Sequence, residues 1–149
     1  MFAGIAGNSG GSSVKSTLVL TAAASSPRRA RILTFELGNA TSPADNAFIF
    51  IVQQATTAGT GTTRTVTADD PADSIASTIV AKDTVTADPT VTAGAILMNW
   101  PVNQRASVRY ASSPGAELVI PATASNGYMF GLSAASTTTT GMSAELLEL

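Results

Sequence analysis

The sequence has neither cysteine nor histidine. The first absence excludes disulfides, thiol chemistry and cysteine metal sites, and the second removes the usual general base near neutral pH. Charge is scarce as well: Asp, Glu, Lys and Arg make up 12% of the 149 residues, about half the ~25% usual in soluble domains. Weak self-repulsion is tolerable for a subunit held in an assembly and risky for a free, concentrated enzyme. With eight scattered basic residues and a formal net charge of -2, the chain is poorly equipped for a nucleic-acid groove. One Trp and two Tyr are a meagre supply for a carbohydrate platform. No apolar run approaches the ~20 residues a membrane-spanning helix needs, so no membrane partner is expected.

In place of charge stand 26 Ala and 21 Thr. Thr favours strands, and its hydroxyl solvates a surface without ions, so the chain can be β-rich and soluble. A chain of this length fits one domain with a core that needs no staples.

The most informative stretch runs from Arg31 to Gln54. In RILTFEL, Leu33, Phe35 and Leu37 alternate with Ile32, Thr34 and Glu36, the pattern of a strand buried on one side. AFIFIV is apolar on both faces, as in a central strand covered inside by an opposing sheet and outside by a loop or a partner. Between them Gly38 and Asn39 break the strand, Pro43 blocks helix, and Asp45 and Asn46 turn the chain back.

Residues 1–16 hold four Gly and four Ser and bury too little to fold alone. They read either as a mobile tail or, the favoured reading, as an extended N-terminal arm lying on a neighbouring subunit, with the β-sandwich domain over 17–149. Lys15 and the following TLVLTAAASS resemble a signal peptide only faintly, because Thr21 interrupts the apolar core. Ser16 to Ala24 reads as a first strand, with Val14, Leu18 and Leu20 on one face.

Beyond Gln54, the stretch ATTAGTG reads as a loop or long hairpin tip. Asp69, Asp70, Pro71 and Asp73 suggest a helix start of one or two turns. Three Thr-Val-Thr-Ala copies, beginning at Thr65, Thr84 and Thr90, are unequally spaced and reflect biased composition rather than a solenoid. Strands are expected at Ala95–Trp100, ended or placed at a sheet edge by Pro101, and at Ala106–Ala111, where Val108 and Tyr110 share a face. Further strands are expected at Glu117–Ile120, at Tyr128–Leu132 after an Asn126-Gly127 tight turn, and over the last residues. For these, Met142, Ala144 and Leu146 favour a strand over a terminal amphipathic helix. About eight short strands in all predict a single-domain antiparallel β-sandwich or jelly roll.

The residues assemble no catalytic set. Asp69, Asp70, Asp73, Asp83 and Asp88 are rich in oxygen ligands but lack EF-hand spacing, and short Asp runs serve as caps and turns. Glu36, Glu117, Glu145 and Glu148 are the only glutamates, and none lies among aromatics as a glycosidase pair would. A Ser or Thr nucleophile would need Lys15 or Lys82 as its base, in no recognisable motif. No Gly-rich loop opens a helix, so no phosphate cradle and no cofactor are expected. Asn39-Ala40-Thr41 is a glycosylation sequon, relevant only to a protein secreted by a eukaryote. Arg28, Arg29 and Arg31 form the one basic cluster, readable as a solvated strand start or as an ion-pairing patch for an acidic partner. Trp100 reads as a core residue or as an interface anchor.

The stretches FELGNATSPADNAFIFIVQQATTAGTGTTRT, DPADSIAS and NWPVNQRASVRYASSPGAELVIPATASNGYMFGL together resemble the capsid decoration, or cement, proteins of tailed bacteriophages. The resemblance spans Arg31 to Leu132 and marks no active site. It implies a jelly-roll virion component on the outer capsid surface, a homo-oligomer (dimer or trimer) that binds the major capsid protein and ties its subunits together. The alternative is a head-fibre or tail subunit. Phe2 and Ile5 of the arm, Arg28, Arg29 and Arg31, and Trp100 are the expected partner contacts.

Overall fold

Alternating Thr, Val, Ile and Phe give strands wherever an apolar face can be covered, and the chain forms no helix among its described residues. The computed structural model describes residues 2–7, 15–25, 27–39, 45–73, 75–133 and 140–149, with 2–7 and Lys15 described by backbone alone. Met1 and residues 8–14 of the arm, Val14 among them, the Ala40-Thr41 part of the sequon and Pro43 therefore lie outside the described residues.

The strands are β1 (Phe2–Gly7), β2 (Lys15–Ala22), β3 (Ala30–Asn39), β4 (Ala47–Ala55), β5 (Thr60–Arg64), β6 (Ile79–Ala87), β7 (Val91–Asn103), β8 (Val108–Ala111), β9 (Leu118–Ile120), β10 (Gly127–Leu132) and β11 (Thr140–Glu148). They form two antiparallel sheets. The smaller runs β1-β11-β3-β8, with β9 also on β3, and the larger runs β5-β6-β2-β10-β4-β7. β8 covers Thr34–Leu37 of β3 and β9 covers Ala30–Ile32, so the two are halves of one broken edge strand. Without the β5–β6 hairpin, two four-strand orders face each other, β1-β11-β3-β8 and β2-β10-β4-β7. The chain passes repeatedly from one sheet to the other, which is the double Greek key of a jelly roll.

Between the sheets Phe35, Phe50 and Phe130 are fully buried with Leu18, Leu20, Ile32, Ile120 and Leu132. The Phe35 ring lies 5.6 Å from Phe50 and 5.1 Å, edge-on, from Phe130; such pairs add about 0.5–1.5 kcal/mol each beyond area burial. The opening between β7 and β8 is closed by half-buried Met98, Trp100, Val108 and Tyr110.

Several expectations need correction. Phe35 and Leu37 point inward as expected, but Ile32 is buried with them and Leu33 is only half-buried. A bulge leaves Leu33 without a β11 partner, since Thr34 faces Glu145 and Ile32 faces Leu146; one extra residue shifts the phase of everything before it. No helix follows Asp69. The Asp70 carboxylate accepts the Ala72 N–H at 2.8 Å and Asp73 accepts that of Ile75 at 3.0 Å, so side-chain turns take the place of the helical ladder. The Asn126-Gly127 pair is not a hairpin turn. Ser125 carries the positive φ of 64°, and Gly127 is required because a Cβ there would run into the Leu20 carbonyl. The N-terminal segment is extended, and Phe2–Gly7 pairs with this chain's own β11, Phe2 opposite Glu145 and Ile5 opposite Met142.

The β5–β6 hairpin extends the larger sheet beyond β2. Thr84 sits on β6 at a φ of 46°, a left-handed conformation that costs a β-branched residue roughly 1–3 kcal/mol. Immediately before it Asp83 is fully buried, its Oδ2 2.9 Å from Arg64 Nε. Immediately after it Val85 joins Val91 in packing on Val19, Ala55 and Met129. This second small cluster covers one end of the larger sheet's outer face.

Candidate functional site

The acidic residues are held separately by their own chain. Asp83 pairs with Arg64, Asp88 accepts the Ser16 hydroxyl at 2.7 Å, and Asp70 and Asp73 close turns. No three of them come together to form a metal site among the described residues. Glu36 pairs with Arg109 at 3.1 Å, Glu145 accepts the Thr34 hydroxyl at 3.3 Å, and Glu148 accepts from the Ser77 hydroxyl and from the N–H and hydroxyl of Thr78. Lys82 donates its ammonium to the Gly59 carbonyl at 2.8 Å, away from any nucleophile pairing.

Of the expected contact residues, the arginines stand at and just before the start of β3, and Trp100 lies on β7. Arg31 begins β3 and lies 3.6 Å from Glu117. Both Glu117 oxygens accept the Gly115 N–H, at 3.0 and 3.1 Å. That backbone donor foremost, then Glu117's own N–H and the Arg31 charge, hold the Glu117 carboxyl below its usual range against a small desolvation penalty. Arg28 donates its backbone N–H to Thr78 Oγ1 at 3.1 Å, and the side chains of Arg28 and Arg29 are exposed. Trp100 belongs to the β7–β8 opening. Its ring is 5.2 Å from Phe50, 6.2 Å from Tyr110 and 6.3 Å from Phe35, nearly parallel to the last. It is a half-buried wall of the core, not a free-standing anchor. The side chains of Phe2 and Ile5 lie outside the described residues.

Two further surfaces hold none of the expected contact residues, although the doubly apolar AFIFIV run already pointed to an outer cover over the first. The first is the outer face of the β4–β7 ribbon. Phe48, Phe50 and Val52 point into the core, so Ile49 and Ile51 face out, paired with Pro101 and Asn99. Ile49 is 41% exposed and Ile96 47%. β7 has no charged residue along its 13 positions and forms the end of its sheet. Its free edge is nonetheless blunted: the missing Pro101 donor faces outward, since the Ile49 backbone bonds to Ser133 on the other side. Bulges at Leu97 and at 92–95 break the ladder further. What this region offers is a face of uncharged side chains rather than a template for another strand.

The second surface is a trough of about 450 Å³ on the smaller sheet, lined by Glu36, Gly38, Ser107, Arg109, Gly141 and Ser143 among others. Gly38 and Gly141 are directly paired, so its floor has no side chains. The signal for it was the coincidence of two glycines on neighbouring strands, invisible until the register is known.

Compared with known proteins, the chain matches no family model, no curated protein and no solved structure.

Proposed function

We propose that this chain is a structural virion subunit, without enzymatic activity, that sits on the outer surface of a tailed-phage capsid. There it works as a homo-oligomer, bridges major capsid subunits and stabilises the shell. The observation that carries the reading is the uncharged outer face of the β4–β7 ribbon, where Ile49, Ile96 and Leu97 stand exposed beside Pro101. A soluble chain keeps such a strip where a partner covers it. The jelly roll, the scarcity of charge and the in-chain partners of the carboxylates all favour packing over turnover. Because many copies act on one lattice, modest contacts per copy add up to large resistance to expansion. A protein that binds only the assembled shell stabilises it by mass action.

The test is cosedimentation of the purified protein with expanded shells that lack it, with unassembled capsid subunits as the control. Saturable binding to shells alone supports the reading, and no binding sinks it.

The glycine-floored trough favours a second reading, a head-fibre or tail subunit that contacts the host. Its Glu36–Arg109 pair and the Ser107 and Ser143 hydroxyls are polar groups suited to a sugar. Binding to a glycan array, lost on Gly141→Leu, would favour that reading.

A further inference from the structure

One end of the sandwich carries charges of both signs that form no ion pair among the described residues. Arg28 and Arg29 lead into β3, and neither forms an ion pair among the described residues. Asp70 and Asp73 lie on the exposed turn before β6 and likewise form none, although each closes a local turn with one carboxylate oxygen. Strand pairing sets the connection before β3 and the connection before β6 at one end, since Ala22 lies opposite Ile79 and Arg64 opposite Ala81, and hydrogen bonds tie the bases of the two connections together. Arg28 N–H reaches Thr78 Oγ1 at 3.1 Å, the Leu149 N–H reaches the Arg29 carbonyl at 2.8 Å, and Glu148 holds Ser77 and Thr78. On the same end stand the two most exposed large apolar side chains of the described residues, Ile75 at 60% and Leu149 at 56%.

An end of the sandwich that carries an acidic turn, a basic pair and exposed apolar groups can complement itself about a two-fold axis. The basic pair of one copy meets the acidic turn of the other, and the reverse, while the apolar residues are covered between them. We propose that this end face is the interface between two copies of this chain, with Arg28 and Arg29 facing Asp70 and Asp73 of the second copy and Ile75 and Leu149 buried at the contact. A net charge of only -2 leaves little long-range repulsion to oppose the approach. The proposal rests on the homo-oligomeric part of the reading above and names the surface that reading leaves open.

Sedimentation velocity on the full chain, across concentration and salt, tests it. Wild type is expected at twice the 15.0 kDa chain mass, dissociating as salt screens the pairs. Arg28→Glu with Arg29→Glu, and separately Asp70→Lys with Asp73→Lys, should each weaken association at least about tenfold, as like charges then meet. Mixed one to one, the two reversed proteins should associate again, because each then meets its complement on both sides of the axis. Asp70→Asn with Asp73→Asn keeps the acceptor oxygen of each turn and should still weaken association, which separates charge from loop geometry. An oligomer indifferent to every reversal, or reversed proteins that do not recover on mixing, would overturn the interface while leaving a homo-oligomer standing. A wild type that is monomeric at all concentrations would overturn both. Shell binding is scored separately, so a monomer that still saturates shells leaves the capsid reading intact.

Discussion

β4 has two apolar faces with different fates. Phe48, Phe50 and Val52 meet the opposing sheet and vanish from solvent, whereas on the other face Ile51 is buried and Ile49 stays open. Among the described residues, Val85 and Val91 over Val19, Ala55 and Met129 cover one end of the larger sheet's outer face. Apolar character alone therefore does not say where the core is. The inner face is satisfied within the chain and should govern stability; the bare part of the outer face is not and should govern association.

The largest effect expected on the inner side is from Phe35→Ala, since Phe35 touches Phe50, Phe130, Trp100 and Tyr110. Truncation should cost about 3–5 kcal/mol in a urea titration. A cost below about 1 kcal/mol would mean that the sheets do not close on this ring. Arg64→Ala comes next. It leaves the fully buried Asp83 carboxylate without its cation and should cost about 2–3 kcal/mol, recovered in part by adding Asp83→Asn. An unchanged midpoint would show that Arg64 does not compensate Asp83.

Tyr128→Phe should cost about 1 kcal/mol, the hydroxyl's 3.0 Å bond to the Val119 carbonyl. Burial foremost pushes the Tyr128 hydroxyl above its ordinary range, with that hydrogen bond opposing. Folding therefore favours the protonated ring. Its contribution is complete below the unfolded tyrosine value of about 10 and is lost as pH rises through the higher folded value. Urea midpoints of wild type and Tyr128→Phe should converge at strongly alkaline pH; a gap that stays constant would contradict this. Smallest in stability is the pair Ile49→Asp and Ile96→Asp on the open face, expected within about 0.5 kcal/mol of wild type.

Much of this division was legible beforehand, and the exceptions have physical reasons. Alternation at Val108 and Tyr110 and at Met142, Ala144 and Leu146 gave strands with the correct inward faces, because the extra residue of the bulge opposite Glu145 and Leu146 lies on β3 and leaves β11 in phase. β3 misled at Ile32 because the Leu33 bulge adds one residue with no compositional mark. β6 was missed because its inward positions are Ile79, Ala81 and a charged Asp83, whose partner Arg64 is identifiable only once β5 and β6 are paired. The end face was illegible for another reason. Arg28, Thr78 and Leu149 are far apart in sequence and are brought together by the bonds of Thr78 to Arg28 and Glu148 and of Leu149 to Arg29. The basic cluster and the Asp69, Asp70 and Asp73 run were each visible in the sequence, but not that strand pairing sets them at the same end.

The most direct measurement is the melting temperature of expanded shells lacking this protein, titrated with wild type and with Ile49→Asp/Ile96→Asp. Wild type should raise the shell's melting temperature to a plateau, and the double variant, itself as stable as wild type, should leave it where it began. Equal protection by both proteins, or none by wild type, would contradict a capsid-facing role for the open face of β4 and β7.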